Sequence, residues 1–206
     1  MHVYIIGCGG NAKVVVDICV SNDYNIAGFF DDNYRIGDVV YHQYKVIGTI
    51  DAIASYGKIN IINSIGDCKT RFKITAKLSN CNLNWINCIH PRSYIAPTAT
   101  IGYGNIICYG AFINSDTILG NFNLVNTYSI IEHDCCTGNY NHFAPKTTLC
   151  GNITVGNTNM VGVGSSIIPG KKIGNLNTIG AGSVVITNVT DDNTIVGIPG
   201  KVIKKT

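Results

Sequence analysis

The chain has 206 residues, 46% of them hydrophobic and only 13% charged, with a formal net charge of +3. That balance belongs to a folded chain with a large core and excludes a disordered one. The small charge, scattered apart from Lys201, Lys204 and Lys205, argues against nucleic acid as a partner, and no apolar run approaches the roughly 20 residues of a membrane span, so no membrane partner is expected either.

The N-terminus, MHVYIIGCGG, has neither a basic n-region nor a cleavage site and reads as a first strand rather than a signal peptide. Nine cysteines without a C-x-x-C pair then fit a reducing, cytoplasmic setting, most of them as small buried hydrophobes. HVYIIG is a strand, GCGGNAK a glycine turn, AKVVVDICVSN a helix, and NIAGFFDD a second strand ending in two acids. YKVIG follows, then a helix around 49–57, the strand KINIINSIG, a helix near 68–79 and NLNWINCIH. Alternating strands and helices predict a Rossmann-like α/β half domain over residues 1–88, with room for four or five strands.

Gly7-Cys8-Gly9-Gly10-Asn11-Ala12 fits G-x-G-x-x-A between a strand and a helix, where free backbone N–H groups favour a phosphate. Asp31 and Asp32 end the second strand about 20 residues on, at the place of a ribose-binding acid. Gly66, at a later strand end, adjoins the same crevice. The half domain is short for a dinucleotide, so a nucleoside diphosphate on the glycine loop is the preferred reading. A plain β-to-α turn and a solvated acidic pair are the alternatives.

From Ile89 to Val185 every sixth residue is Ile, Leu or Val with two departures, Thr137 and Phe143. A helix has a period of 3.6 and a simple strand a period of 2, so neither produces this pattern. A period of six is the mark of a hexapeptide β-helix, in which three short strands make an 18-residue coil and the aliphatic side chains stack inside a prism. Residues 89–206 are therefore expected to form an all-β, left-handed parallel β-helix of about five coils. Glycines 102, 120, 138, 156, 162, 174 and 180 suit its corners. Past Val185 the period is lost, and the tail is expected to cap the last coil. Asn and Ile are conspicuously abundant, a bias that an AT-rich genome would produce.

The GxGGxAK turn, the DD pair, the hexapeptide repeat containing IEHD and the closing GIPGKVIK tail together resemble the sugar-nucleotide acyltransferases of the hexapeptide-repeat left-handed β-helix superfamily. These acetylate the 4-amino group of bacillosamine, perosamine or viosamine, and the sialic acid O-acetyltransferases are related. The resemblance implies a homotrimer with active sites between adjacent β-helices, acetyl-CoA as cosubstrate and no metal. It implies His133 as general base, Asp134 as the acid that raises its basicity, and Asn126 near the reacting amine. His142, Val163 and Ala181 would meet acetyl-CoA, while Gly9, Gly10, Asn11, Asp31, Asp32 and Gly66 would hold the nucleotide sugar. The chain departs from the pattern at Asn11, where the family has histidine, and at Pro199-Gly200-Lys201, where it has PAK.

Acetyl transfer to an amine needs a neutral nucleophile, and a histidine titrating near 7 suits removal of the proton. His133 falls two places after the inward column, on the outside of the coil, with Asp134 or Glu132 to orient its ring. His133 and His142 are half a coil apart and so belong on different sides of one prism. Shared chemistry would then draw them from adjacent subunits. Cys135 and Cys136 are possible thiol nucleophiles, which direct transfer does not require. The function expected is N-acetylation of a UDP-linked 4-amino-4,6-dideoxy sugar, with dTDP and GDP open. A sialic acid type O-acetyltransferase, a zinc hydratase and a non-catalytic nucleotide-sugar sensor are the rivals.

Overall fold

The computed structural model describes residues 1–205. The first half builds β1 (His2–Ile6), α1 (Gly10–Ser21), β2 (Asn25–Phe30), β3 (Val39–Val40) and β4 (Tyr44–Gly48), then β5 (Ile59–Asn63), α2 (Cys68–Lys77) and β6 (Leu83–Trp85). They form one sheet in the order β3-β4-β2-β1-β5-β6. All neighbours are parallel except β3 and β4. The sheet thus has six strands rather than four or five. The extra one is the two-residue β3, too short to carry a periodic pattern. The helix expected around 49–57 is a 3-10 helix, Ile50–Ser55. Helix α2 is capped by Asp67, whose carboxylate accepts from the Thr70 N–H at 2.7 Å.

From Cys88 the chain winds into three parallel sheets, with partners 18 residues apart, such as Ile107 with Val125 and Val125 with Phe143. The left-handed β-helix core holds Ile107, Val125, Phe143, Val161 and Ile179 on one wall and Ile113, Ile131, Leu149, Ile167 and Val185 on the next, all essentially inaccessible to solvent. Each buried aliphatic side chain contributes on the order of 1.5–3 kcal/mol of burial free energy.

The coils do not stop at Val185. Val189 bridges Ile173, and Ile195 pairs with Ile179, so the last turn proceeds with a step of 16 residues rather than 18. Only then does Lys201–Lys205 fold back antiparallel on Asn193–Val196. Two residues fewer in one turn break the sequence period while preserving the stack.

The asparagines are structural. One corner of four successive coils reads G-N-x-N: Gly120-Asn121-Phe122-Asn123, Gly138-Asn139-Tyr140-Asn141, Gly156-Asn157-Thr158-Asn159 and Gly174-Asn175-Leu176-Asn177. The second asparagine is buried, and its Oδ1 accepts the N–H of its equivalent in the next coil, from Asn105 through Asn123, Asn141 and Asn159 to Asn177. The Nδ2 of Asn105, Asn123, Asn141 and Asn159 donates to the glycine carbonyl 15 residues on. The residue between the asparagines has a left-handed backbone (Phe122 φ 54°, Tyr140 φ 59°). The corner glycines are needed for a different reason: a Cβ on Gly138 would meet the Gly156 carbonyl oxygen at 2.7 Å.

The outer side of the first wall is covered by the α/β half. Cys88, Ile106 and Leu124 point outward yet are buried, in one cluster with Val15, Val16 and Cys19 of α1. His142, Met160 and Thr178 continue this column and are only half-buried. His142 therefore stands where the cover ends.

Candidate active site

The crevice at the carboxyl ends of β1, β2 and β5 gathers the glycine turn, the acidic pair and Gly66. Gly7 has φ +91°, and a Cβ there would strike Ile65, so this glycine is required by the fold. Gly9 and Gly10 are different: neither has a left-handed backbone, and an added Cβ would meet nothing within 4 Å. They leave open space before the start of α1, whose N-cap makes no side-chain bond and whose first turn carries no acid. Unpaired amides facing open space suit an anion.

The two acids have different duties. Asp31 is buried, and its oxygens accept from the Cys8 and Asn33 amides at 2.7 and 2.8 Å. It holds the glycine turn in place. Asp32 is exposed and gives one oxygen to the Ile50 amide. Asn11 ties the turn to the Gly66 segment, its Nδ2 donating to the Ser64 carbonyl at 2.8 Å. Tyr41, which the sequence reading passed over, donates its hydroxyl to the Gly9 carbonyl at 2.9 Å.

A cleft of about 420 Å³ separates the start of α2 (Gly66 to Lys69) from His142, Met160 and Thr178 on the β-helix wall. His142 bridges the two halves. Its Nδ1 lies 3.2 Å from the Gly66 carbonyl and its Nε2 3.2 Å from Asn126 Nδ2. Asn126 Oδ1 accepts from the Thr127 amide, which fixes its NH2 toward His142. Nε2 is then the acceptor, and Nδ1–H donates to Gly66. Burial, aided by the nearby Arg71 charge, pushes His142 down to about 4, so the ring is neutral.

His133 stands at another corner of the prism, 59% exposed. Its Nδ1 is 2.7 Å from Asp134 Oδ2. The hydrogen bond to Asp134 holds the imidazole above its ordinary pKa. Asp134 has a left-handed backbone (φ 59°), so the orienting acid also turns the corner. Glu132, the other candidate for that duty, accepts instead from Asn114 Nδ2 at 2.7 Å. The ring lies over Gly151 of the next coil: a Cβ there would fall 2.6 Å from Cε1 and 2.7 Å from Nε2. Beside it, Cys135 is buried, with its thiol pushed up to about 11 by desolvation.

Val163 and Ala181 are stacked one coil apart on the corner that carries Asn126, and both are exposed. Within one protomer the structure brings together Asn126, His142 and Gly66. It places His133 and Asp134 on a different side. Among the described residues no three His, Cys, Asp or Glu side chains converge as metal ligands, and no helix is long and apolar enough to cross a membrane.

Two further residues escaped sequence reading. Gly151 carries no motif and is explained only by the ring above it. Arg71 is 1% exposed and has no carboxylate partner in the described ion pairs. Its signal was present: Cys68, Arg71, Ile74 and Thr75 follow helical spacing and share the buried face of α2.

Residues 2–78 match the PglD N-terminal domain family. Over its full length the chain is similar to PerB from Caulobacter crescentus, solved in complex with CoA and GDP-perosamine. The two share 31% identity and a TM-score of 0.93, over 99% of this chain and 98% of the other. It is also similar to the acetyltransferase domain of PglB from Neisseria gonorrhoeae, solved in complex with acetyl coenzyme A. Here identity is 28% and the TM-score 0.91, over 98% of each chain. An uncharacterised protein of Acanthamoeba polyphaga mimivirus is 38% identical over 119 residues, 58% of this chain, which spans about a quarter (24%) of that relative's length. Glycine turn, α/β half, hexapeptide coils and the full-length match to PerB lead to one assignment: the chain belongs to the sugar-nucleotide N-acetyltransferases of the hexapeptide left-handed β-helix superfamily.

Proposed function

We propose that the chain transfers the acetyl group of acetyl-CoA directly to the 4-amino group of a nucleotide-linked 4-amino-4,6-dideoxy sugar, with His133 as general base. The observation that carries this reading is the 2.7 Å bond from His133 Nδ1 to Asp134 at an exposed corner. With Nδ1–H donated to Asp134, the Nε2 lone pair is free to take a proton from the attacking amine. The acid then stabilises the imidazolium that results. The amine nitrogen attacks the thioester carbonyl, and the tetrahedral intermediate expels CoA thiolate, which the imidazolium proton reaches directly or through solvent. No acyl-enzyme is needed, and the buried Cys135, its thiol raised, is poorly suited to form one.

Residues 1–88 hold the nucleotide and residues 89–206 the acetyl donor. The glycine turn takes the diphosphate at Gly9, Gly10 and the start of α1. Asp32 accepts from base or ribose, and Asp31 and Asn11 fix the loop. UDP is placed first as the nucleotide, with GDP, found in the PerB complex, and dTDP next. Asn126 keeps one amide N–H for the acyl oxygen. His142 meets acetyl-CoA by giving up one of its two internal bonds, and Val163 and Ala181 line the same edge.

His133 and His142 serve one reaction only if neighbouring copies meet. The wall carrying Tyr94 and Phe112, stacked at 4.6 Å, with Tyr128, Ile130 and a hollow of about 340 Å³, supports assembly through that wall as a homotrimer. A monomer with full activity would refute this arrangement.

The test is thiol release from acetyl-CoA against UDP-, dTDP- and GDP-linked 4-amino sugars and free sialic acid. One nucleotide amino sugar should react, and His133→Ala should lower its kcat by about 10² to 10⁴-fold while leaving the fold intact. Release with sialic acid alone would move the protein to O-acetylation, and near-normal kcat in the variant would remove His133 as base.

A further inference from the structure

Arg71 is a fully buried guanidinium with five N–H donors, and each has a backbone carbonyl. Nε donates to Phe122 at 2.9 Å. Nη1 donates to Ile65 at 2.8 Å and Gly66 at 3.0 Å. Nη2 donates to Tyr140 and Asn141, both at 3.1 Å. The acceptors come from two bodies: the loop between β5 and α2, and the asparagine corners of two successive coils. Burying a cation costs several kcal/mol unless it is fully bonded, and five neutral carbonyls meet that need without a carboxylate. A residue needed only to cover this junction would be apolar.

The bond set leads somewhere. The Gly66 carbonyl that accepts from Arg71 Nη1 also accepts from His142 Nδ1–H, and His142 in turn accepts from Asn126. Three side chains thus connect the rim of the nucleotide crevice to the corner where acetyl transfer is placed. Cys68 adds a second anchor, its Sγ 3.5 Å from the Asn159 carbonyl of the next coil.

Resting on the function proposed above, we infer that Arg71 is a positioning residue: it fixes the Gly66 loop against His142, and so sets where an amine held by the nucleotide crevice lies relative to the acetyl donor. Lysine is the informative replacement. It keeps the charge but has three donors on a single nitrogen, and it cannot span carbonyls on both bodies in the guanidinium's planar arrangement.

The experiment compares wild type and Arg71→Lys on two acceptors, the nucleotide-linked amino sugar and the free 4-amino sugar at high concentration. Amide hydrogen exchange is followed alongside. The expected result is a fall in kcat of at least about tenfold for the nucleotide-linked acceptor. The KM for acetyl-CoA and the rate with the free sugar should be unchanged, and exchange should speed up at residues 64–67. Equal losses on both acceptors, or unchanged exchange at 64–67, overturn the inference. Arg71→Met, which keeps volume and loses every donor, should show the same pattern more strongly. If neither variant folds, Arg71 is a folding residue and the inference is likewise overturned. A wild type inactive on every nucleotide sugar would instead reject the parent reading, a result visible before any variant is made.

Discussion

Replacing Gly151 with alanine isolates the placement of the base from its chemistry. Gly151 does not have a left-handed backbone, so no conformational cost attaches to the added methyl group. The three atoms nearest the new Cβ all belong to the His133 ring, with Cε1 at 2.6 Å and Nε2 at 2.7 Å. Ordinary carbon contacts begin near 3.5 Å, so ring and methyl must separate by about 1 Å. The ring is 59% exposed and moves more easily than the coil backbone, and its movement breaks the 2.7 Å bond to Asp134. A displacement of about 1 Å at a reacting group costs roughly 10²-fold in rate, or about 2.7 kcal/mol at 1.36 kcal/mol per decade. Gly151 is buried, but what covers it is an exposed ring free to swing away, so the loss of stability should be about the 1 kcal/mol typical of point changes. Steady-state thiol release beside a thermal melt reads both quantities. A Gly151→Ala enzyme that melts normally and turns over within threefold of wild type would refute the reasoning.

Asp134→Asn should shift the pH dependence. The base works unprotonated, and its hydrogen bond to Asp134 raises its pKa. The acidic limb of kcat/KM therefore lies above the ordinary imidazole value of about 6.5 in the wild type and moves down toward it in the variant, with a lower plateau; a limb that stays in place counts against the pair. The asparagine corners predict a ranking in urea unfolding. Asn159→Ala strips partners from the buried Asn177 amide and the Gly174 carbonyl, at about 2–4 kcal/mol in total, whereas Asn157→Ala, which frees the Asn139 amide of the exposed outer row, should cost under about 1 kcal/mol. The reverse order would show that the inner row is not what holds the corner.

The β-helix was legible because one geometric constraint, an inward side chain at every sixth residue, repeats often enough to stand out. The repeat ran beyond the point where reading stopped, since a 16-residue step hides Val189 and Ile195 from a search at period six. The asparagine rows were missed for a different reason. Abundance was read as base composition, although G-N-x-N recurs at 18 residues and a buried amide ladder needs one asparagine per coil. At the site, the IEHD stretch could be found because acid and imidazole are adjacent in sequence. What joins His142 to Gly66, 76 residues away, and Arg71 to Asn141, 70 residues away, has no sequence spacing to betray it. Such contacts are properties of how the two halves sit together.

The two histidines that share this stretch of chain are separated by their surroundings. A base near pKa 4, such as His142, is always unprotonated but is a poor acceptor for an ammonium proton. Its neutrality is what allows it to sit beside the Arg71 cation, and both of its nitrogens already have partners. His133 has the opposite balance: open to solvent, paired with one carboxylate and raised in basicity, with Nε2 unclaimed. These surroundings support the proposed assignment of proton transfer to His133, with a fixed polar contact at His142. The corner separating them within a protomer means that, on the proposed function, their cooperation is a matter of assembly and draws on a second subunit.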